Sequence, residues 1–329
     1  MPRVAVVFLG GTISSVVDPA AGGAVPSLDG AAILARSPGL DAIADLEPVD
    51  LGRTPASHFP IGRLVEIGGV IRDRLSDPAV DGVVVVQGTD TIEETAFCWD
   101  LLLDSPKPVV VTGAMRNTSE AGFDGPANLR DAIRCAASPR LRDAGVVVVL
   151  AGSIDAADDV AKTHATSLTT FRSPNAGPLG WIVGEEILVL RRRGGRRHVA
   201  TDRASERVHL ITAVVGIDGT LIDGAVAAGA EGIVVAATGA GNTSPSLLAA
   251  AERAMDAGIP VVLTTRALAG RVGPGYAFPG GGATWARAGT IMAGHLSGPK
   301  ARVALALGIG AGLDRARLAA LFADPDPEA

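Results

Sequence analysis

Residues 83–97, VVVVQGTDTIEETAF, constrain the fold of this chain more than any other stretch. The run Val83–Val86 has no polar face, and such a run reads as a strand buried on both sides, as in a parallel sheet covered by helices. A helical pattern follows, and Thr91 with Glu94 has the T-x-x-E spacing of a capping box. Gly88, Thr89 and Asp90 are therefore predicted to form the strand-to-helix turn. A hydroxyl beside a carboxylate is thus placed at the carboxyl end of a strand. In open α/β sheets ligands bind at such ends, where loops diverge around a crevice next to helix N-termini.

The same construction opens the chain, where the apolar run Val4–Leu9 ends in Gly10, Gly11 and Thr12. A polar segment, residues 157–173, carries Lys162, the only lysine between Lys107 and Lys300. Strand-like runs at 4–9, 83–87, 109–113 and 146–151 alternate with helical patterns near 61–75, 92–103 and 127–137. That alternation predicts an α/β protein with a larger N-terminal domain, a doubly wound and mainly parallel sheet. A second series starts at residues 208–215, with strands near 232–238 and 259–265 and helices near 245–257, 299–307 and 314–322, and predicts a smaller C-terminal α/β domain. The expected organisation is a catalytic domain over 1–190, a linker over 191–207 and the second domain over 208–329. Residues 191–198, RRRGGRRH, lie in that linker. They are read as solvated, because a Gly-rich charged segment cannot bury itself; a phosphate-binding patch is the alternative.

Charge and composition exclude several classes. A net charge of −6 and an isoelectric point near 5.4 argue against nucleic acid or an anionic membrane as partner and leave small-molecule chemistry. No apolar run reaches the length of a membrane span. The segment MPRVAVVFLGGT enters its first strand at once, leaving no room for a signal peptide, so a cytoplasmic location is expected. Cys98 and Cys135 have no metal-ligand spacing and read as buried structural thiols, and neither do His164, His198, His209 and His295 form a metal pattern. No metal and no organic cofactor is expected. Neither Gly10-Gly11 nor Gly239-Ala-Gly241 continues to the third glycine of a dinucleotide fingerprint, and no G-x-x-x-x-G-K-[ST] loop occurs, which disfavours a nicotinamide- or flavin-dependent enzyme.

The motifs Phe8-Leu-Gly-Gly-Thr-Ile13, Gln87-Gly-Thr-Asp-Thr-Ile-Glu-Glu94, Thr112-Gly-Ala-Met-Arg116, Asp124-Gly-Pro126 with Asn128, Asp159-Val-Ala-Lys-Thr163 and Asn175-Ala-Gly-Pro-Leu-Gly180 occur in one order over the first 180 residues. In these residues the chain resembles the bacterial-type L-asparaginase and glutaminase family, and more weakly so through Gly239-Ala-Gly-Asn242 and Lys300-Ala-Arg302. The resemblance implies an amidohydrolase that releases ammonia from the side-chain amide of L-asparagine, or of L-glutamine, through an acyl-enzyme. It implies Thr12 as nucleophile and Thr89, Asp90 and Lys162 as a second catalytic triad. Gly11, Gly88 and Ala114 would line the substrate and oxyanion site, and Ser57 and His58 would hold the α-carboxylate. A homo-oligomer, dimer or tetramer, is implied as well.

The residue types suit that chemistry. Amide hydrolysis needs a nucleophile, a base, a proton for the departing ammonia and donors for the oxyanion. Thr89, Asp90 and Lys162 offer hydroxyl, carboxylate and amine in one set, and a partly desolvated lysine can accept a proton. Two positions depart from the family pattern. The lid at residues 14–27, SSVVDPAAGGAVPS, has no tyrosine, and residues 279–287, PGGGATWAR, have no acid. Tyr276, Ser14 and Ser15 are the hydroxyls that could replace the lid tyrosine. The competing reading is a domain that binds amino acids, or an amidotransferase subunit, with little activity of its own.

Overall fold

Period-two alternation builds the first unit. In a computed structural model of the protein, which describes residues 1–324, Val4, Val6, Phe8, Val84, Val86 and Val110 point to one face of a sheet. They pack there against Leu129, Ala132 and Ile133 of the helix Gly125–Ala136. The residues between them, Ala5, Val7, Val83, Val85, Val109 and Val111, point to the other face. That face is covered by Ile67 and Ile71 of the helix Ile61–Ser76 and by Ile92, Ala96 and Trp99 of the helix Ile92–Leu102. A strand covered on both faces has no use for polar side chains, which is why Val83–Val86 is uniformly apolar and fully buried.

The sheet has eight strands, in the order Glu186–Val189, Gly180–Val183, Ser153–Ala156, Val146–Leu150, Val109–Thr112, Gly82–Val86, Arg3–Phe8 and Asp45–Asp50. The last five run parallel; the first three are antiparallel additions at one edge. Numbered along the chain, the parallel strands have the order 2-1-3-4-5. In that topology the connections reverse direction between the first and third strands, so a crevice opens at their carboxyl ends. Here those strands are Arg3–Phe8 and Gly82–Val86, the two that lead into Gly10-Gly11-Thr12 and Gly88-Thr89-Asp90.

The chain divides at Arg196 and Arg197. The second unit holds a parallel sheet of Val208–Thr212, Gly232–Ala237, Val261–Thr265 and Ile291–Met292 with helices at Thr220–Ala227, Pro245–Asp256, Gly282–Ala288, Gly298–Gly310 and Arg315–Phe322. Ile211, Ile233, Val235, Leu263, Leu247 and Trp285 are buried in its core.

Two local expectations are corrected. Thr91 is the N-cap of its helix but its side chain makes no cap hydrogen bond; the hydroxyl donates instead to the Ala56 carbonyl at 3.3 Å. The arginine-rich segment is not solvated throughout. Arg193 donates to both oxygens of the fully buried Asp100, at 2.9 and 2.7 Å, and Arg196 donates to the Leu103 carbonyl at 2.7 Å. Charges bury when paired and hydrogen-bonded, and the partners lie some 90 residues away in the chain. Among the described residues no helix is long and apolar enough to cross a membrane.

Cys98 and Cys135 are both buried free thiols, and burial pushes both of them well above the usual thiol range. Because the thiolate is the reactive form, the native protein is expected to resist thiol-specific reagents and to react at two sites only after unfolding. Fast labelling of the native protein in a colorimetric thiol assay would contradict this.

Candidate active site

Two strand ends touch. Gly10 and Gly11 both have positive φ, +98° and +93°, a backbone region that favours glycine. A Cβ on Gly11 would lie 2.1 Å from the Gly88 nitrogen and 2.3 Å from its Cα, so the two backbones are in contact. Gly11 and Gly88 are each followed directly by a threonine. Thr12 opens a one-turn helix, Thr12–Ser14, and is half-buried; among the described residues no hydrogen bond reaches its hydroxyl. Thr89 opens a second, Thr89–Thr91, and is buried.

Lys162 arrives at this corner from 73 residues away. Its Nζ donates to Thr89 Oγ1 at 3.0 Å and to Asp90 Oδ1 at 2.7 Å. The Lys162 side chain is 13% exposed, whereas that of Asp90 is 73% exposed. An ion pair with one member so open to water stabilises a fold by about 0–1 kcal/mol. The set is therefore poor as structural glue, but it aims an amine at a buried hydroxyl and leaves a carboxylate facing solvent.

The lysine is held by a chain of polar contacts. It ends the short strand Ala161–Lys162, paired antiparallel with Phe171–Arg172, and its backbone N–H donates to Glu93 Oε2 at 3.2 Å. Three residues earlier, Asp159 accepts from the backbone N–H groups of Asn175 and Ala176 and from Asn175 Nδ2, at 2.7–3.2 Å. The two motifs Asp159–Thr163 and Asn175–Gly180 are thus two sides of one loop cluster. Asp155 joins the same cluster by accepting from Ser153 and Ser173, each at 2.6 Å. Burial raises the Asp155 carboxyl above its ordinary pKa, and the two serine hydroxyls oppose the shift.

The third strand end supplies a backbone donor. A Cβ on Gly113 would meet the Gln87 carbonyl at 2.4 Å and Thr89 Cγ2 at 3.2 Å, so the Gly113–Ala114 turn packs on the Thr89 corner. The Met115 and Arg116 N–H groups both donate to Asp124, at 3.0 and 2.9 Å. The N–H of Ala114 has no acceptor among the described residues, which suits a developing oxyanion. Asn128 fixes the turn: Nδ2 donates to the Gly113 carbonyl at 3.0 Å and to Asp124 at 2.9 Å, while Oδ1 accepts from the Ala151 N–H at 3.0 Å. Asn128→Ala would leave the buried Gly113 carbonyl without this donor and the exposed Ala151 N–H to water, so a loss of about 1–3 kcal/mol is expected in a denaturant melt. An unchanged midpoint would mean that water replaces the amide.

Ser57 and His58 lie in a one-turn helix, Ala56–His58, that touches the same corner through Ala56: a Cβ on Gly88 would be 3.2 Å from the Ala56 Cβ. Both are exposed. Of the hydroxyls considered for activating Thr12, Ser14 and Ser15 both donate to the Gly11 carbonyl, at 2.7 and 2.9 Å, which commits their protons to the backbone. Tyr276 belongs to the second unit, where it is half-exposed against Phe278. His164 Nδ1 accepts from the backbone N–H groups of Thr166 and Ser167, a structural task. Among the described residues no group of histidine, cysteine and acidic side chains could hold a metal ion.

The sequence alone assigns no role to Asp124, Asn128, Asp155 or Asp159. Asp124, Asn128 and Asp159 stand within recognisable motifs, but their partners lie 4 to 23 residues away, and no local spacing announces them.

The chain matches the asparaginase N-terminal family model over residues 3–194 and the glutaminase/asparaginase C-terminal domain model over residues 207–322. It is 35% identical to a probable L-asparaginase of Deinococcus radiodurans, covering 98% of this chain and 97% of that protein. It is 33% identical to an L-asparaginase of Bacillus licheniformis, covering 93% and 94%. A subunit of the glutamyl-tRNA(Gln) amidotransferase of Methanothermobacter thermautotrophicus is 31% identical over 83% of this chain and 64% of that one. The crystal structure of a probable cytoplasmic L-asparaginase from Campylobacter jejuni superposes with a TM-score of 0.87 at 26% identity, over 98% of this chain and 99% of the other.

Proposed function

The chain belongs to the asparaginase/glutaminase family, and from that premise we propose that it is an L-asparaginase working through a threonine nucleophile. The observation that carries this reading is the contact of Lys162 Nζ with Thr89 Oγ1 at 3.0 Å and with Asp90 Oδ1 at 2.7 Å. It lies at the switch point of the sheet, beside Gly11 and Thr12.

In this reading the Thr12 oxygen adds to the carbonyl carbon of the side-chain amide. The oxyanion is met by the Ala114 N–H and the first N–H groups of the Thr89 turn, which a short helix leaves free. Collapse expels the amide nitrogen, which takes up the proton given up by the Thr12 hydroxyl and leaves as ammonia, and an ester to Thr12 remains. Water then attacks the ester, and aspartate departs as the hydroxyl of Thr12 is restored. Lys162 is tied to Asp90 and donates to Thr89, so the triad is better arranged to orient that water than to attack. Asp90, open to solvent, is available to take the ammonium of the substrate, and Ser57 and His58 its carboxylate.

Ammonia release from L-asparagine by the purified protein tests the proposal, with L-glutamine run in parallel to rank the two amides. A second reading, a glutaminase subunit of an amidotransferase, has the archaeal relative behind it. Absence of ammonia from both substrates would favour it. The homo-oligomeric state, the cytoplasmic location and the domain limits at 190 and 208 belong to the same proposal.

A further inference from the structure

The arginine-rich segment that leaves the first unit also lines a small cavity of about 80 Å³ on that unit. Five arginines surround it, Arg140, Arg142, Arg191, Arg192 and Arg193, against one acidic side chain, Asp143. In a chain of net charge −6 this is a local inversion of sign. The arginines differ in how they are used. Arg193 is committed to Asp100 and Asp158, at 2.7 and 2.9 Å. Arg191 Nη2 donates to the Gly177 carbonyl at 2.5 Å, but its Nε is cut off from solvent and has no hydrogen-bond partner among the described residues. The guanidinium groups of Arg140, Arg142 and Arg192 have no ion pair or hydrogen bond among the described residues.

A buried guanidinium nitrogen without an acceptor costs free energy, and like charges gathered around one hollow repel each other. One small anion relieves both. Arginine's planar fork matches the oxygens of a tetrahedral oxyanion, and the cavity has room for about two to three water molecules' share of liquid volume, enough for phosphate and too little for a nucleotide. We infer that this pocket binds a small tetrahedral dianion, inorganic phosphate or one of its size and charge.

The pocket is joined to the candidate active site by contacts within the first unit. Arg191 holds Gly177, two residues from Asn175, which Asp159 binds; Arg193 holds Asp158 beside it. An anion seated on Arg191 is thus linked, through Arg191 and Gly177, to the loop cluster that carries Lys162.

The experiment is calorimetric titration of the full chain with sodium phosphate in a chloride buffer of constant ionic strength. It is paired with melting curves over the same range and repeated on the Arg140→Ala/Arg192→Ala double variant. The readout is binding, so it stands or falls apart from any amidase activity. The expected result is saturable one-to-one binding of phosphate, sulfate competing with it. The double variant should melt as the parent does in chloride but bind phosphate about tenfold or more weakly, since charge-assisted hydrogen bonds are lost. No saturable heat, or equal affinity in parent and variant, would overturn the inference. So would loss of binding in a Lys162→Met variant that retains all five arginines, since that would place the anion at the other site.

Discussion

Replacing Lys162 by methionine is expected to lower L-asparagine turnover about a thousandfold while leaving the melting temperature almost unchanged. Methionine keeps the length and apolar stem of the side chain and removes only the amine, so packing in a position 13% exposed is preserved. The Asp90 carboxylate that loses its partner is 73% exposed and is taken over by water, which limits the change in stability to about 1 kcal/mol. The chemistry has no such substitute. Thr89 is buried, and the amine is the only cation in contact with its hydroxyl among the described residues. A positioned acid or base contributes about a hundred- to ten-thousandfold to rate. Steady-state ammonia release and a thermal melt, measured on the same preparation, check both halves. Turnover within about tenfold of the parent would return Lys162 to a structural role.

Gly11→Ala is expected to lower stability by about 4 kcal/mol or more, and the melting temperature by about 10 °C or more. Two costs add. A side chain at φ +93° is strained by about 1–2 kcal/mol, and the new Cβ would sit 2.1 Å from the Gly88 nitrogen, a backbone atom that cannot step aside without moving the Thr89 corner. Gly52→Ala isolates the first cost, because Gly52 has φ +113° and nothing within 4 Å of the added Cβ. The difference between the two variants measures the contact of the strand ends. Equal losses would mean that the two ends move apart freely.

The parts of the fold that repeat locally are legible in the sequence. The central strands and their covering helices follow from periods of two and 3.6, and both Gly-Thr corners stand where apolar runs end. The edge strands are not legible, because an edge strand does not have to be apolar. Asp45–Asp50 reads DLEPVD, is largely exposed and carries Pro48, which a sheet tolerates at its edge and not at its centre. The buried arginines escape the sequence for a related reason. Whether a charge can be buried depends on its partner, and Asp100 and Asp158 lie far away in sequence from Arg193. Thr91 has the local spacing of a cap, yet its hydroxyl prefers the Ala56 carbonyl that the fold delivers.

At the site the residue types and their order are legible; their meeting is not. Nothing in the segment 157–173 states that Lys162 reaches Thr89, since the link runs through Asp159 and Asn175, 16 residues apart, and through a two-residue strand. Asn128 sits inside a recognisable motif without a visible task. Its task is to satisfy backbone groups of two loops at once, which only three-dimensional proximity reveals.

The central claim is that Thr12 attacks and that the Thr89, Asp90 and Lys162 set serves the water that follows. It is tested most directly by quenching Lys162→Met with acid during turnover of L-asparagine and locating the ester by peptide mass spectrometry. With the water-activating amine gone, the acyl-enzyme should accumulate, and the account predicts an aspartyl adduct on the peptide that contains Thr12. An adduct on the peptide that contains Thr89 would contradict it and exchange the roles of the two threonines.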